Sequence, residues 1–287
     1  MEDILIIDNS IADFQKCLEY KSQQEKWQLW STLYYPKYSA LYDTLLKNIY
    51  MLDLGVLKEL VYCADFQKLN TNVVNFINDN GENTSIVILN ESANKLNFNF
   101  DFKYYIHVGL GNIGGTALAI NEPLVYLGVE NYAGKEDLKY VLSHELCHLK
   151  REMSLFGVKN SKPEYSLGEM VVSEGLATVF SSIFCNDGVI NPKYELCMSD
   201  KQYQTCMTND VLAEEILNHW DIPASAENRD LIFKYMTGGT NSLIPDCYGY
   251  YFGNVIIREL LKKHSFDYLI GLKDSKILSE YLSIARI

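Results

Sequence analysis

The sequence is poor in the features that mark disulfide-rich and membrane-spanning proteins. Its seven cysteines are an odd number and include no C-x-x-C pair, which argues against a disulfide framework and against a cysteine-based zinc knuckle. The longest apolar runs fall well short of the ~20 residues of a membrane span, and residues 1–8 lack the basic and apolar regions of a signal peptide. We therefore expect a cytoplasmic protein with no membrane partner.

Positive charge is also in short supply. The 25 Lys and Arg residues face 37 Asp and Glu residues, so the formal net charge is −12. This balance argues against a nucleic-acid partner, because binding to phosphates is driven by Lys and Arg. It is compatible with neutral or basic peptides as ligands.

Histidine is scarce as well, but two of the five histidines stand four residues apart in the run His144-Glu145-Leu146-Cys147-His148. Four residues turn an α-helix through about 400°, so His144 and His148 project from one face and can share one metal ion. Glu145 lies about 100° further round, where it can act as a general base on water without being a ligand. The H-E-x-x-H pattern is typical of zinc hydrolases.

The surroundings of the motif favour a helix. Apolar residues recur at three- and four-residue spacing over residues 136–152, which predicts an amphipathic helix. Acidic residues occupy its first turn, and Lys150 and Arg151 occupy its last, as the helix dipole favours.

A catalytic zinc site needs a third protein ligand and leaves its fourth position open. Residues 167–184 predict a second, strongly apolar helix in which Glu174 is the only charged residue from Met170 onward. A buried carboxylate is costly unless it is paired, and coordination of zinc would remove that cost. We therefore predict Zn²⁺ bound by His144, His148 and Glu174. Gly175 is expected to let the two helices approach closely.

With these elements in place, the chain resembles the predicted zinc-dependent proteases of bacteria, a family within the gluzincins. The resemblance rests on the H-E-x-x-H helix, the S-E-G-L-A element from Ser173 to Ala177 and the aromatic segment from Tyr248 to Gly253, and it covers residues 83–263. It implies a thermolysin-like active site, with Glu145 as the catalytic base. It also matches Gly249-Tyr250 and Gly253 to a Gly-Tyr pattern that recurs in the family.

The expected chemistry is hydrolysis of a peptide bond by a zinc-activated water, with Glu145 transferring the proton to the leaving amine. Such sites use a further hydrogen-bond donor to stabilise the oxyanion. Tyr250 is our candidate because it lies at the start of a predicted helix over residues 248–263. His219 and His264 are the alternatives, and tyrosines in general are more often packing residues.

One position departs from the gluzincin pattern. Gluzincins commonly carry an acidic residue four positions after the glutamate ligand, where it orients a ligating histidine, and this chain has Thr178 there. A hydroxyl group raises the basicity of an imidazole less than a carboxylate does. Glu169 and Asp137 are the possible substitutes.

A competing motif precedes the predicted site. Residues Gly109 to Gly114 fit the G-x-G-x-x-G fingerprint of dinucleotide-binding proteins, but no long helix follows and the next residues read as strands. We interpret the glycines as a turn that leads into strands beside the active-site helix. Either residues 116–120 or residues 124–128 form the strand that borders the cleft and pairs with an extended peptide.

The remaining pattern predicts an α+β fold of the zincin type. We expect an N-terminal helical region over residues 1–82, with a helix break at Pro36, helices over residues 40–51 and 56–69, and a turn at Asp79–Glu82. Residues 83–157 carry a small sheet, including a strand over residues 84–89, and the H-E-x-x-H helix. Residues 158–287 form a helical lobe that supplies Glu174.

The leading functional hypothesis is a zinc metallopeptidase acting on peptide or protein substrates. The first alternative is a zinc-binding protein of the same fold without peptidase activity, and the second is a nucleotide-dependent oxidoreductase built on the Gly109 loop. Substrate sequence, endo- or exopeptidase action and oligomeric state are not specified by these patterns.

Overall fold

A mixed four-stranded sheet forms the centre of the fold. The computed structural model describes residues 5–45, 54–111, 113–161, 163–196, 198–238 and 247–285. Its strands are β1 (Leu5–Asn9), β2 (Phe102–His107), β3 (Gly115–Ile120) and β4 (Glu122–Gly128). They lie in the order β1-β2-β4-β3, with β1, β2 and β4 parallel and β3 antiparallel to β4. The antiparallel strand β3 is therefore an edge of the sheet.

Helices make up most of the rest of the described chain. Those before β2 are α1 (Ile11–Lys16), α2 (Gln23–Leu29), α3 (Tyr35–Leu45), α4 (Leu57–Cys63), α5 (Phe66–Asn78) and α6 (Gly81–Lys95). Those after β4 are α7 (Lys135–Leu155), α8 (Leu167–Asn186), α9 (Pro192–Glu195), α10 (Asp200–Met207), α11 (Asp210–Asn218), α12 (Arg229–Phe233), α13 (Tyr248–Leu260), α14 (Phe266–Ile270) and α15 (Asp274–Ala285). The α+β architecture with a mainly helical C-terminal region confirms the predicted fold class.

Both faces of the sheet are buried. Successive residues of a strand point to opposite faces, and the two faces of β3 accordingly belong to different apolar clusters. Ala117 and Ala119 join the main core that contains the leucines of α7. Leu118 and Ile120 join a smaller cluster with Leu41 of α3 and its neighbour Leu45. Helix α7 thus covers one face of β3, and α3 contributes to the cover of the other.

Helix α7 carries the H-E-x-x-H motif in its middle, as predicted. Its leucines at positions 138, 142, 146 and 149 are buried, which orients the helix against the core. Acidic residues Glu136 and Asp137 occupy the first turn, where the helix dipole favours negative charge. The motif lies about two turns or more from either end, so its backbone is held by regular helical hydrogen bonds.

Helix α8 is the predicted apolar helix. Ser166 caps its N-terminus by accepting a hydrogen bond from the Glu169 amide. The helix is long and apolar enough to cross a membrane by length and composition, but 72% of that stretch is buried inside the protein. This burial is what a core helix of a folded domain shows.

The helix that we predicted Gly175 to contact was wrong. We expected it to bring α8 close to α7, whereas it contacts α13. A Cβ atom added to Gly175 would lie 2.3 Å from the carbonyl carbon of Gly253. The close approach is between α8 and α13, and it brings the start of α13 close to α8.

Several predictions for the N-terminal half were wrong. Residues 84–89 lie in α6 and do not form a strand, because Ser85, Ile88, Leu89 and Ser92 bury one helical face while Val87 is exposed. An apolar run of this length suits a strand or a helix equally well. Residues 5–9, for which we predicted no strand, form β1, so the segment 1–82 is not purely helical.

The helix boundaries also differ. The chain does not break at Pro36, since a π-helical turn at Trp30–Tyr34 leads directly into α3. The predicted helix over residues 56–69 is two helices, separated where Asp65 caps α5 by accepting a hydrogen bond from the Lys68 amide. The predicted helix over residues 40–51 is described only as far as Leu45, and the rest lies outside the described residues. The predicted domain boundaries stay a prediction.

Candidate metal centre

Three potential ligand atoms converge between α7 and α8. The Nε2 atoms of His144 and His148 lie 2.9 Å apart. Oε2 of Glu174 lies 3.1 Å from the first Nε2 atom and 3.3 Å from the second. The two histidines project from one face of α7, and Glu174 reaches them from the neighbouring helix.

This arrangement fits a zinc ion. Two ligands at 2.0–2.1 Å from zinc in tetrahedral geometry lie about 3.3 Å apart, close to the three distances here. Among the described residues, Oε2 of Glu174 is buried and forms no hydrogen bond. A buried carboxylate oxygen and two imidazole nitrogens that face one point require a shared cation or proton. His144, His148 and Glu174 are accordingly a group that could hold a metal ion.

The three residues line a cleft of about 300 Å³. The cleft contains the complete motif: Glu145 lies in its wall beside the two histidines. The wall is formed by Gly115, Thr116, Ala117, Leu118, His144, Glu145, His148, Glu152, Tyr165, Met170, Ser173, Glu174 and Tyr250. The edge strand, two helices and the start of α13 therefore enclose one space around the ligand atoms.

Gly115 allows β3 to lie against the motif. A Cβ atom at this position would lie 2.7 Å from a methyl group of Val141 and 3.0 Å from Cγ of Glu145. Any larger residue at this position would collide with Val141 and Glu145. The glycine thus fixes the distance between the edge strand and the Glu145 side chain.

The ionisable groups of His148, Glu174 and Glu145 shift one another's pKa values. Although burial opposes it, the neighbouring His148 imidazolium holds the pKa of the Glu174 carboxyl well below its usual range. Burial likewise acts to lower the pKa of His148, but the Glu174 carboxylate raises it to about 9. Burial raises the pKa of Glu145, against the lowering effect of the two imidazoles.

Ser173, which we did not predict, supplies the hydroxyl that contacts one of the two candidate ligand histidines. Oγ of Ser173 lies 2.9 Å from Nδ1 of His148, on the opposite side of the ring from Glu174. Ser173 directly precedes Glu174 in the S-E-G-L-A element, so one helical turn supplies a candidate ligand and the hydrogen-bond partner of another candidate ligand, His148. The position of Ser173 directly before Glu174 was the feature of the sequence that could have identified it.

The Thr178 hydroxyl does not hydrogen-bond to either imidazole. Its hydroxyl donates to the Gly175 carbonyl and accepts from Nδ2 of Asn254 on α13. The two possible substitutes are also engaged elsewhere, since Glu169 forms a bidentate ion pair with Arg151 and Asp137 lies in the first turn of α7. Thr178, at the position where gluzincins commonly carry an acidic residue, therefore links α8 to α13 through Asn254.

Tyr250 lies at the site and its two alternatives do not. Its ring stacks on His144 with 6.4 Å between ring centroids and an interplanar angle of 13°, and it lines the cleft. His219 is engaged through Nδ1 with the Glu215 carbonyl oxygen, and His264 pairs with Glu280. Neither of these histidines lines the cleft.

The glycine-rich loop is occupied by a side chain of the protein itself. The amides of Gly109 and Gly111 donate to the two carboxylate oxygens of Glu130, at 2.9 and 3.1 Å. Strand β3 starts directly after Gly114, where a dinucleotide fold has a helix. The loop thus presents its amides to an internal carboxylate and leads into the edge strand, as we interpreted it.

Strand β3 is the one of the two predicted strands that borders the cleft. Its residues from Gly115 to Leu118 line the cleft, whereas β4 lies between β2 and β3. Of the two strands that we left open, the one over residues 116–120 therefore borders the cleft, and the one over residues 124–128 does not.

Comparison with known proteins agrees with this geometry. A family model described as "Predicted Zn-dependent protease (DUF2268)" matches residues 64–277. No curated protein and no solved structure shows a significant match to the chain.

Proposed function

Because the chain belongs to the family of predicted Zn-dependent proteases, we propose that it is a zinc metallopeptidase of the gluzincin type. The observation that carries this proposal is the convergence of His144, His148 and Glu174 next to Glu145 in one open cleft. The same three side chains would hold the zinc ion, and the cleft admits a peptide from the side of β3.

Each residue around the metal centre has its own role in the proposed reaction. When bound, zinc supplies a Lewis acid that polarises the substrate carbonyl and makes water a stronger acid. Glu145 takes up the proton of the attacking water on its carboxylate and transfers it to the leaving amine. The Tyr250 hydroxyl donates a hydrogen bond to the oxyanion. Oγ of Ser173 would accept a hydrogen bond from the Nδ1–H group of His148, which leaves Nε2 free for the metal.

The edge strand provides the binding surface for the peptide backbone. The amide and the carbonyl of Ala119 both point away from β4, since they contact Glu152 and Lys159. Residues two apart on a strand share the same direction, so the amide and the carbonyl of Ala117 also point away from β4. The Ala117 amide faces the Glu145 carboxylate. An extended substrate would therefore add to the sheet at the Ala117 carbonyl, in the part of β3 that lines the cleft.

The experiment that tests this proposal combines zinc analysis with peptide cleavage. Purified protein is reconstituted with zinc, its metal content is measured by mass spectrometry, and a mixed peptide library is incubated with wild type and Glu145→Gln. The matched control is Glu136→Gln, the same change at an exposed position in the first turn of α7.

We expect about one zinc per chain in all three proteins and cleavage by wild type and Glu136→Gln only. His144→Ala and Glu174→Ala should each lose zinc. Stoichiometric zinc with no cleavage of any peptide would overturn the peptidase proposal and leave the zinc-binding protein without peptidase activity. Full zinc content in both ligand variants would overturn the metal site.

A further inference from the structure

The outer edge of β3 is open for only part of its length. At Ala119 the amide donates to Oε2 of Glu152 at 2.8 Å, and the carbonyl accepts from the Lys159 amide at 2.9 Å. The Lys159 carbonyl in turn accepts from the Asn121 amide. The backbone groups beyond Ala117 on this edge are therefore already paired, and a substrate strand cannot continue past this point.

The closed end of the edge carries a carboxylate. Glu152 lies in the wall of the cleft beside Tyr165, whose hydroxyl donates to Oε1 of Glu152. A carboxylate has about four acceptor positions, and the Ala119 amide and the Tyr165 hydroxyl occupy two of them. Two remain for a ligand. The described residues that line the cleft include no Lys or Arg to pair with Glu152.

The spacing from the metal centre is short. Glu152 follows His148 by four residues on α7, which is about one helical turn or ~5.4 Å along the axis. An extended residue spans about 3.3 Å. The distance between the metal ligands and the carboxylate thus accommodates one residue of an extended peptide and its terminal nitrogen.

The direction of the chain is set by the strand. A peptide that pairs antiparallel with β3 has its amino end beside the C-terminal part of β3, which is the end closed by Glu152 and Lys159. An anionic group at that end matches a cation and repels a terminal carboxylate.

We propose that the enzyme is an aminopeptidase in which Glu152 binds the free α-ammonium group of the substrate. This rests on the proposed zinc peptidase function. Water is consumed at the first peptide bond: its hydroxyl joins the carbonyl carbon, its proton goes to the departing nitrogen, and one amino acid is released together with a shortened peptide. The paired edge beyond Ala117 excludes the residues that an internal cleavage site would place there.

The cation that Glu152 binds could also come from a Lys or Arg side chain of the substrate. Three synthetic peptides distinguish an α-ammonium group from such a side chain. The first has a free amino terminus and no Lys or Arg, the second is the same peptide with an acetylated terminus, and the third is acetylated and contains an internal Lys. Products are identified by mass spectrometry with the zinc-loaded wild type.

We expect release of single amino acids from the first peptide, with a kcat/KM at least about 30-fold above that for the second and the third, the range for loss of a buried charge partner. Equal cleavage of the first two peptides would overturn the proposal, and so would cleavage of the third peptide beside Lys with the second left intact. No cleavage of these peptides or of the mixed library would overturn the peptidase function itself.

Variants of Glu152 and of nearby residues test whether Glu152 causes the preference for a free amino terminus. Glu152→Gln retains the shape of the side chain and one carbonyl oxygen for hydrogen bonds but lacks the charge. It should raise KM and lower kcat/KM for the free peptide at least about 30-fold with zinc content unchanged. Glu164→Gln, the same change at a nearby exposed position, should match wild type. If Glu152→Gln fails to fold, Tyr165→Phe and the wild-type comparison of free and acetylated peptides remain. Tyr165→Phe should keep the preference for a free amino terminus, because the charge of Glu152 is still present.

Discussion

Gly175 of α8 and Gly253 of α13 touch through their backbones. A Cβ atom on Gly175 would lie 2.3 Å from the Gly253 carbonyl carbon, and one on Gly253 would lie 2.0 Å from the Val171 carbonyl oxygen. Real Cβ atoms do not approach backbone so closely, and backbone in two packed helices cannot easily move aside. This contact holds the start of α13, with Tyr250, beside a helix that carries a proposed zinc ligand.

Gly175→Ala should therefore destabilise the protein. The added methyl group forces α8 and α13 apart, and overpacking of this kind costs about 1–3 kcal/mol or more, although alanine favours helix by about 1 kcal/mol. The measurement is the free energy of unfolding in urea, made on metal-free protein. Gly271→Ala is the control, because a Cβ atom there has no neighbour closer than 3.9 Å. Equal stability of Gly175→Ala and wild type would contradict the close contact.

Ser173→Ala should weaken zinc binding. Without the hydroxyl, Nδ1 of His148 loses its partner at 2.9 Å and the ring is less firmly oriented. Loss of such a partner typically lowers metal affinity 10–100-fold. Competition with a chromogenic chelator measures the dissociation constant. The control is Ser181→Ala on the same helix, whose buried hydroxyl donates to the Thr178 carbonyl and touches no ligand. An unchanged zinc affinity in Ser173→Ala would show that the serine does not orient His148.

Tyr250→Phe should lower kcat by roughly 10²–10³ with zinc content unchanged, the usual effect of removing one donor to an oxyanion. The stacking of the ring on His144 does not depend on the hydroxyl. Tyr251→Phe is the matched control, because this neighbour packs against Tyr203 and Tyr248 and does not line the cleft. If both variants keep wild-type kcat, the donor must be another group.

Removal of one partner of the Arg151–Glu169 ion pair should destabilise the protein by about 3–5 kcal/mol. Nε and Nη2 of Arg151 donate to the two oxygens of Glu169 at 2.7 and 2.8 Å, and the arginine is only 1% exposed. The pair joins the last turns of α7 to the first turn of α8, and so it aligns the histidines with Glu174. Arg151→Met and Glu169→Leu are compared singly and together by urea unfolding. The double variant should lose less than the sum of the two, and strict additivity would argue against direct coupling.

Glu130 should make stability depend on pH. Burial raises the pKa of its carboxyl from 4.5 to about 7, partly offset by the amides of Gly109 and Gly111. Because the folded protein holds this proton more tightly than the unfolded chain, the stabilisation is full below about pH 4.5 and is lost as the pH rises towards 7. At about 1.4 kcal/mol for each pKa unit, the loss is on the order of 3 kcal/mol.

Urea unfolding of wild type and Glu130→Gln at a series of pH values measures this contribution. The difference in unfolding free energy between the two proteins should change over pH 4.5–7, with wild type losing stability relative to the variant as the pH rises. The exposed Glu214→Gln serves as the control and should follow wild type. A constant difference between wild type and Glu130→Gln across this range would contradict a raised pKa.

The patterns that predicted structure well were the long amphipathic or apolar helices. Helix α7 was predicted within a few residues because its leucines recur with the helical period over about three turns, and α8 because it is strongly apolar over its whole length. Short apolar runs were less reliable. Residues 84–89 were predicted as a strand and lie in α6, since only tertiary packing distinguishes a buried helix from a strand over so few residues.

By itself, the sequence determined which residues could share a metal ion on one helix, because the spacing of His144 and His148 and the regular geometry of α7 leave few alternatives. It also specified Glu174 as a buried charge on a second helix. Which side chains complete the site depended on how separate elements pack: Ser173 reaches His148 and Thr178 turns to α13. The closed end of β3 likewise arises from the contacts of Glu152 and Lys159 with Ala119, groups 33 and 40 residues away along the chain. Local patterns carry no information on such pairings, because they depend on the relative positions of helices and strands that only the packed core sets.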